Sequence, residues 1–205
     1  MTNHTAAETR NGKLVLLTLM LIPVFVVLAA TFVFYTGIGM PKTTHNKGVL
    51  VVPPLQLNDL HPTDMDGKVV VFDGTAKSGT WTFLTVQSAA CNESCKQRFW
   101  LNRQTRTALG KYSGHLQRVW LVTGGAMDKE TTQWLKKEHS DVVVLHAGDE
   151  QWHKLLKQTN YSPADEKKTN FFLVDPRGFV MMYYTVDNTY KDVMKDIKFL
   201  LKEVE

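Results

Sequence analysis

Two thiols four residues apart are the part of this sequence best suited to chemistry. Cys91 and Cys95, the only cysteines in 205 residues, stand in the stretch FLTVQSAACNESCK that runs from Phe83 to Lys96. Residues spaced i, i+4 share one helical face, and their Cα atoms lie about 6 Å apart, within reach of a disulfide. Three chemistries fit the pair. As a dithiol it can exchange with a disulfide, with Cys91 as the attacking sulfur and Cys95 as the resolving one. As two thiolates it can hold a soft cation such as Cu(I). As two small apolar side chains it can simply pack. Position separates these readings. Cys91 follows an apolar run directly and is expected at or near a helix start, where unpaired N–H groups and the helix dipole favour thiolate over thiol. Glu93 opposes that charge, while Lys96 and Arg98 partly offset it.

Several elements must position the pair. Lys68–Asp73 and Thr80–Gln87 are β-rich runs separated by Gly74 and Gly79. Lys96–Tyr112 has no proline and reads as a helix, Leu116–Thr123 as a strand, and Gly124-Gly125 as a turn. Asp128 can cap a helix through Lys137. Then follow a strand at Asp141–Ala147, a short helix at Glu150–Gln158, and a hairpin from Asn170 to Val186 turning at Asp175-Pro-Arg-Gly. Tyr190–Glu205 closes the chain as an amphipathic helix with Val193, Ile197, Leu200 and Leu201 on one face. This order predicts an α/β sandwich around a mixed central sheet.

Ahead of these elements lies a membrane anchor. Leu14–Tyr35 holds no charge over 22 residues, about 33 Å of helix, and Pro23 inside it is tolerated in membrane helices. The apolar run is longer than the core of a cleavable signal peptide, so an uncleaved anchor is expected. Lysine and arginine balance across it, with Arg10 and Lys13 before and Lys42 and Lys47 after. The expected organisation is a tail at 1–13, a transmembrane helix at 14–36, a linker at 37–54 and one folded domain at 55–205. The net charge of +4 is dispersed, which argues against a nucleic-acid partner. With 43% hydrophobic and 10% aromatic residues, the chain is too apolar for disorder, and two cysteines exclude a disulfide-stapled miniprotein.

The stretch WTFLTVQSAACNESC, followed by NFFLVDPRGFVMMYY, resembles the thioredoxin-like superfamily, and within it the Sco/SenC family of membrane-anchored cytochrome c oxidase assembly proteins. The Cys-x-x-x-Cys spacing, the DMDGK turn at Asp64–Lys68 and the LVDPRG hairpin carry the resemblance over Leu55–Glu205. It implies a thioredoxin-like sandwich anchored in the cytoplasmic membrane and facing the periplasm. It also implies either copper held by two cysteines and a histidine, or thiol reduction of the oxidase copper site. The chain departs from the family at two places. Asn92 stands where a proline usually follows the first cysteine. Lys167 stands nine residues before Pro176, where the histidine ligand is expected. An ammonium has no lone pair for a metal. Thr169 occupies the place of the cis-proline of ordinary thioredoxins. Five of the seven histidines, His45, His61, His115, His146 and His153, are weighed as substitutes.

The expected function is therefore thiol-disulfide reduction by Cys91 and Cys95 in the assembly of cytochrome c oxidase. Its alternatives are Cu(I) carriage by the same two residues, with copper as the candidate cofactor, and a non-catalytic assembly scaffold. The expected partners are the membrane and an oxidase subunit or another copper or thiol assembly factor.

Overall fold

The computed structural model describes residues 4–36, 46–74 and 80–202. It divides into two units, Met1–Thr44 and His45–Glu205. The first contains helix α1 (His4–Thr36), which carries Pro23 inside it. Its segment Val15–Thr36 is long and apolar enough to cross a membrane, with a mean hydropathy of 2.7 and none of it buried. Within it the hydroxyls of Thr18, Thr31 and Thr36 donate to the carbonyls of Val15, Val27 and Phe32, so these polar groups are satisfied inside the helix.

The second unit is an α/β sandwich. Its strands are β1 (Val49–Gln56), β2 (Trp81–Gln87), β3 (Leu116–Thr123), β4 (Val142–Ala147), β5 (Thr169–Val174) and β6 (Phe179–Thr185), in the spatial order β1-β6-β5-β2-β3-β4. Strands β2, β3 and β4 run parallel, whereas β5, β6 and β1 add antiparallel pairs. The sheet is mixed, as expected, and it is covered on both faces. On one face Phe83 and Phe171 meet Val193, Ile197 and Leu201 of helix α6 (Tyr190–Lys202). Next to them Cys95 and Phe99 of helix α2 (Glu93–Ala108) pack on Trp120 and Val122, with Leu135 of α3 (Lys129–Glu138). On the other face Trp152 and Leu156 of α4 (Asp149–Leu156) cover Leu84, Leu121 and Phe172. Neighbouring residues such as Phe83 and Leu84 serve opposite faces because side chains alternate along a strand. A strand buried on both faces therefore reads as one continuous apolar run.

Two expectations fail here. Lys68–Asp73 is not a strand: Val69 makes one isolated bridge to Thr63, and Val69 and Val71 are exposed. Instead, the Asn58 side chain accepts from the Phe72 N–H at 2.8 Å and donates to the Phe72 carbonyl at 2.9 Å. Strand propensity without a neighbouring strand leaves the backbone to a side-chain amide. Conversely, Val49–Pro54, expected as linker, belongs to β1, which pairs with β6 through a register shift between Leu50 and Leu55 that bypasses Pro53-Pro54. Residues 1–3 of the tail, 37–45 of the linker, Gly79 and residues 203–205 lie outside the described residues.

The hairpin turn forms as read. Asp175 Oδ1 accepts from the N–H groups of Arg177 and Phe179. Gly178 has φ +88°, and a Cβ there would lie 2.7 Å from Gln56 Oε1 and from Phe72 Cβ. Helix α2 begins three residues earlier than expected and ends at Ala108.

Candidate functional site

Strand β2, inside the sheet between β5 and β3, ends at Gln87, and Ser88-Ala-Ala carries the chain to Cys91. Asn92 then caps α2, its side-chain oxygen accepting the Cys95 N–H at 3.0 Å and the Ser94 hydroxyl at 2.8 Å. Cys91 consequently lies before the helix rather than on it, and Cys95 sits in the first turn. The two are joined as a disulfide with a Cα–Cα distance of 5.2 Å. Their surroundings differ sharply. Cys95 is fully buried against Ala89, Phe99, Trp120 and Val122, while Cys91 is part-exposed. A part-exposed sulfur is the one that a second molecule can reach, and a buried one can be attacked only from within.

Two depressions flank this turn. The smaller, about 300 Å³, is lined by Cys91, Asn92, Lys96, Asp128, Glu130 and Trp134. Asp128 caps α3 through a 2.6 Å bond from the Thr131 N–H, which holds its carboxyl below the usual carboxylate range. Lys96, the cation nearest in sequence, is paired with Glu93 at 3.1 Å. Cys91 therefore opens onto a surface where acidic groups outnumber free positive charge.

The larger cleft, about 600 Å³, lies on the other side of the α2 turn, between Asn92, Ser94 and Arg98 of α2, α4, helix α5 (Pro163–Glu166) and the start of β5. Arg98 spans its floor, donating to Gln87 Oε1 at 2.8 Å and to the Lys167 carbonyl at 3.2 Å. Across it His153 bonds Glu166 through Nε2 at 2.9 Å and the Asp149 carbonyl through Nδ1 at 2.8 Å, and the Glu166 bond raises the imidazole above its ordinary pKa. Tyr161, in contact with Thr169 Oγ1 at 2.8 Å, is pushed up to about 12 by burial and remains a neutral phenol.

A family model described as transmembrane-like, thioredoxin-like, C-terminal domain matches residues 81–203, more than half of the chain. The chain belongs to that family. No curated protein matches its sequence. Solved structures share the fold. Yeast Sco1 with copper bound is 16% identical, with a TM-score of 0.53 over 73% of this chain and 90% of that one. A SCO1/SenC family lipoprotein from Bacillus anthracis is 21% identical, with a TM-score of 0.50 over 73% and 98%. Arabidopsis thaliana ScoI with copper bound is 16% identical, with a TM-score of 0.50 over 73% and 97%. The thioredoxin-like fold expected from the sequence is thus found, and the solved structures that share it include Sco/SenC proteins at low identity.

The copper held by two of those structures raises the question of donors in this one. After reduction, Cys91 and Cys95 offer two thiolates. Lys167 lines the large cleft but contributes no lone pair as an ammonium. Among the described residues no group of three or more His, Cys, Asp or Glu is arranged to hold a metal. His153 is committed to Glu166 and Asp149, and His146 approaches Met65 Sδ at 3.4 Å on β4. His61 and His115 end the short 3-10 turns at Leu57–Leu60 and Gly110–His115. His45 lies outside the described residues. Among the described residues a three-donor copper site is not assembled.

Sequence reasoning singled out the two cysteines and the Asp128 cap, and weighed His153 only as a substitute metal ligand. It did not anticipate that Arg98, Glu166 and His153 meet around one cleft, since they come from three separate elements with no common motif.

Proposed function

We propose that this protein is a membrane-anchored thiol-disulfide reductant that acts through Cys91 and Cys95 on the periplasmic side of the cytoplasmic membrane, in the assembly of the cytochrome c oxidase copper site. The observation that carries the proposal is the asymmetry of the pair, a part-exposed Cys91 bonded to a fully buried Cys95 at the start of α2. In the reduced form the Cys91 thiolate attacks one sulfur of a partner disulfide. The partner S–S bond breaks, one partner thiolate leaves, and a mixed disulfide forms. The Cys95 thiolate then attacks Cys91 Sγ, closing the intramolecular disulfide and releasing the second partner thiolate, which takes a proton. Two electrons pass to the partner, and a dithiol donor restores the pair.

Turnover of a disulfide-bonded peptide from an oxidase copper-binding segment, with dithiothreitol as donor, tests this. Cys91→Ser should abolish turnover, and Cys95→Ser should trap the mixed disulfide. Unchanged turnover in Cys91→Ser would exclude the mechanism.

Cu(I) carriage by the two thiolates is the second reading, supported by the copper in structural relatives of the same fold. The missing third donor weighs against it. Anaerobic Cu(I) titration of the reduced protein against a competing chelator separates the two. Tight one-to-one binding that is lost in the double serine variant favours carriage, and binding no tighter than the double variant leaves the reductant. A scaffold would support oxidase assembly with both cysteines replaced.

A further inference from the structure

We propose that the outer face of α2 and α6 is a docking surface for anionic lipid, which holds the folded domain against the bilayer that the apolar helix can cross. The inference goes beyond the redox reading and does not depend on it. Among the described residues of the second unit, the exposed aromatic side chains are Trp100, Tyr190 and Phe199, and all three stand on these two helices. Trp100 is 59% exposed and Phe199 68%. The helices are neighbours on one face of the sheet, and their buried side chains, Phe99 and Ile197 among them, point into the core. Tryptophan and tyrosine favour the membrane–water interface, where an apolar ring meets the headgroups.

The charge around these rings is basic. Helix α6 carries Lys191, Lys195 and Lys198, none of them in an ion pair among the described residues. Its carboxylates are engaged within the fold. Asp196 is buried against the Lys47 and Gly48 N–H groups, and Asp192 accepts the Thr189 N–H at 2.9 Å and hydroxyl at 2.7 Å. On α2, Arg103 donates to the Glu138 carbonyl, which leaves its charge uncompensated. Lysines around exposed rings suit phosphate headgroups, because their stems lie along apolar surface while the ammonium groups reach the anions. The opposite face differs: α4 opens with Asp149 and Glu150, and its tryptophan is buried.

The covalent tether selects lipid as the occupant over another protein. The chain enters the domain at Lys47 and Gly48, whose N–H groups are held by Asp196 of α6 itself. Residues 37–46 separate this point from Thr36, the last residue of the apolar helix, and a stretch of that length spans at most about 35 Å. A surface tethered so closely meets lipid at an effective concentration that a diffusing partner does not reach. Helix α2 also starts beside the cysteine pair, and Trp100 follows Cys95 by about 7.5 Å of helix axis. Lipid docking therefore fixes the distance of the disulfide from the bilayer.

The test uses the full chain in nanodiscs of phosphatidylcholine, with and without phosphatidylglycerol, in which part of the lipid is brominated near the headgroup end of its acyl chains. Bromine quenches an indole only on close approach, and subtracting the emission of Trp100→Phe isolates Trp100. With phosphatidylglycerol present, Trp100 emission should shift to the blue and fall about twofold on bromination. Salt at about 0.5 M, or the double variant Lys191→Glu/Lys195→Glu, should remove most of that quenching. Lys154→Trp in the Trp100→Phe background puts an indole on α4 instead, and it should stay unquenched. Trp100 emission that ignores bromination in both discs would overturn the proposal. So would a blue shift without quenching, which would show that protein, such as a second copy of the chain, covers the face. Equal quenching at positions 100 and 154 would overturn it by showing lipid contact without a preferred face, and a chain that enters neither disc would overturn it by removing the tether. Failure of the reductant reading is distinct: the protein would reduce no oxidase-segment disulfide, while the quenching of Trp100 would be unchanged.

Discussion

Arg118 is a cation buried to 1% exposure on β3, beneath the helix that bears the cysteine pair. Nη2 donates to the Phe99 carbonyl of α2 at 2.9 Å and lies 3.2 Å from His139 Nδ1, while Nη1 donates to Asp141 Oδ1 at 2.9 Å. Nε has no partner, so the guanidinium is only partly compensated. Asp141 is 40% exposed and remains hydrated if Arg118 is removed, but Arg118 cannot be hydrated if Asp141 is removed. Asp141→Ala should therefore destabilise the domain more, by about 3 kcal/mol, than Arg118→Met, which exchanges the buried charge for an apolar chain and should cost about 1 kcal/mol. Urea unfolding of both variants checks the order, and the reverse order would show that packing rather than charge governs the site. His139 next to them is lowered to about 4 by burial and by Arg118. The unfolded chain then binds more protons than the folded one between the ordinary imidazole value and about 4, so stability should fall as pH drops through that window. In His139→Gln that slope should flatten, as measured by urea midpoints at pH 7 and pH 5. None of this was readable at Arg118 itself. LQRVWLVT scans as an apolar strand, and the partners of its arginine come from residues 19 to 23 positions away in the chain.

At the scale of elements, legibility followed the source of each element's hydrogen bonds. Strands β2 to β6 and helices α3, α4 and α6 could be read because apolar alternation and caps such as Asp128 are local signals. Strand β1 could not, because Pro53-Pro54 breaks the pattern and distant side chains supply part of its pairing. Asn160 Oδ1 accepts the Val52 N–H at 2.9 Å, and its Nδ2 donates to the Leu50 carbonyl at 3.0 Å, in effect a substitute strand at the sheet edge. Asp196, buried on α6, accepts the N–H groups of Lys47 and Gly48 at 2.8 and 2.9 Å and the Tyr184 hydroxyl at 3.3 Å. These bonds fasten the entry to β1 onto the last helix. Burial beside Asp196 pushes the Tyr184 phenol far above its ordinary range, so it stays a donor at any physiological pH. Asp196→Ala removes a charged acceptor from three donors at once and should cost about 2–3 kcal/mol. The loss should be local as well as global. Hydrogen exchange at Lys47, Gly48 and the β1 amides should accelerate more than at β2 and β3, and uniform acceleration would mean that Asp196 supports the whole core instead.

For the whole molecule, the folded unit and the apolar helix specify a place as well as a shape. The domain carries its own core, and Val15–Thr36 is by length and composition able to cross a membrane. Orientation is the property that charge leaves open, with Arg10 and Lys13 on one side and Lys42 and Lys47 on the other. The proposed function favours one side. A disulfide such as Cys91–Cys95 persists in an oxidising compartment, whereas cytosolic thiol buffers keep such pairs reduced. On that proposal the domain is expected outside the cytoplasmic membrane. Alkaline phosphatase, active only where its own disulfides form, reads this out when fused after Glu205. An active fusion that stays with the membrane until detergent is added fits the reductant placed beside the oxidase copper site. An inactive fusion, with the folded domain intact on the cytoplasmic side, would remove the oxidase from consideration, because a domain on that side could not reach the copper-binding segment it is proposed to reduce.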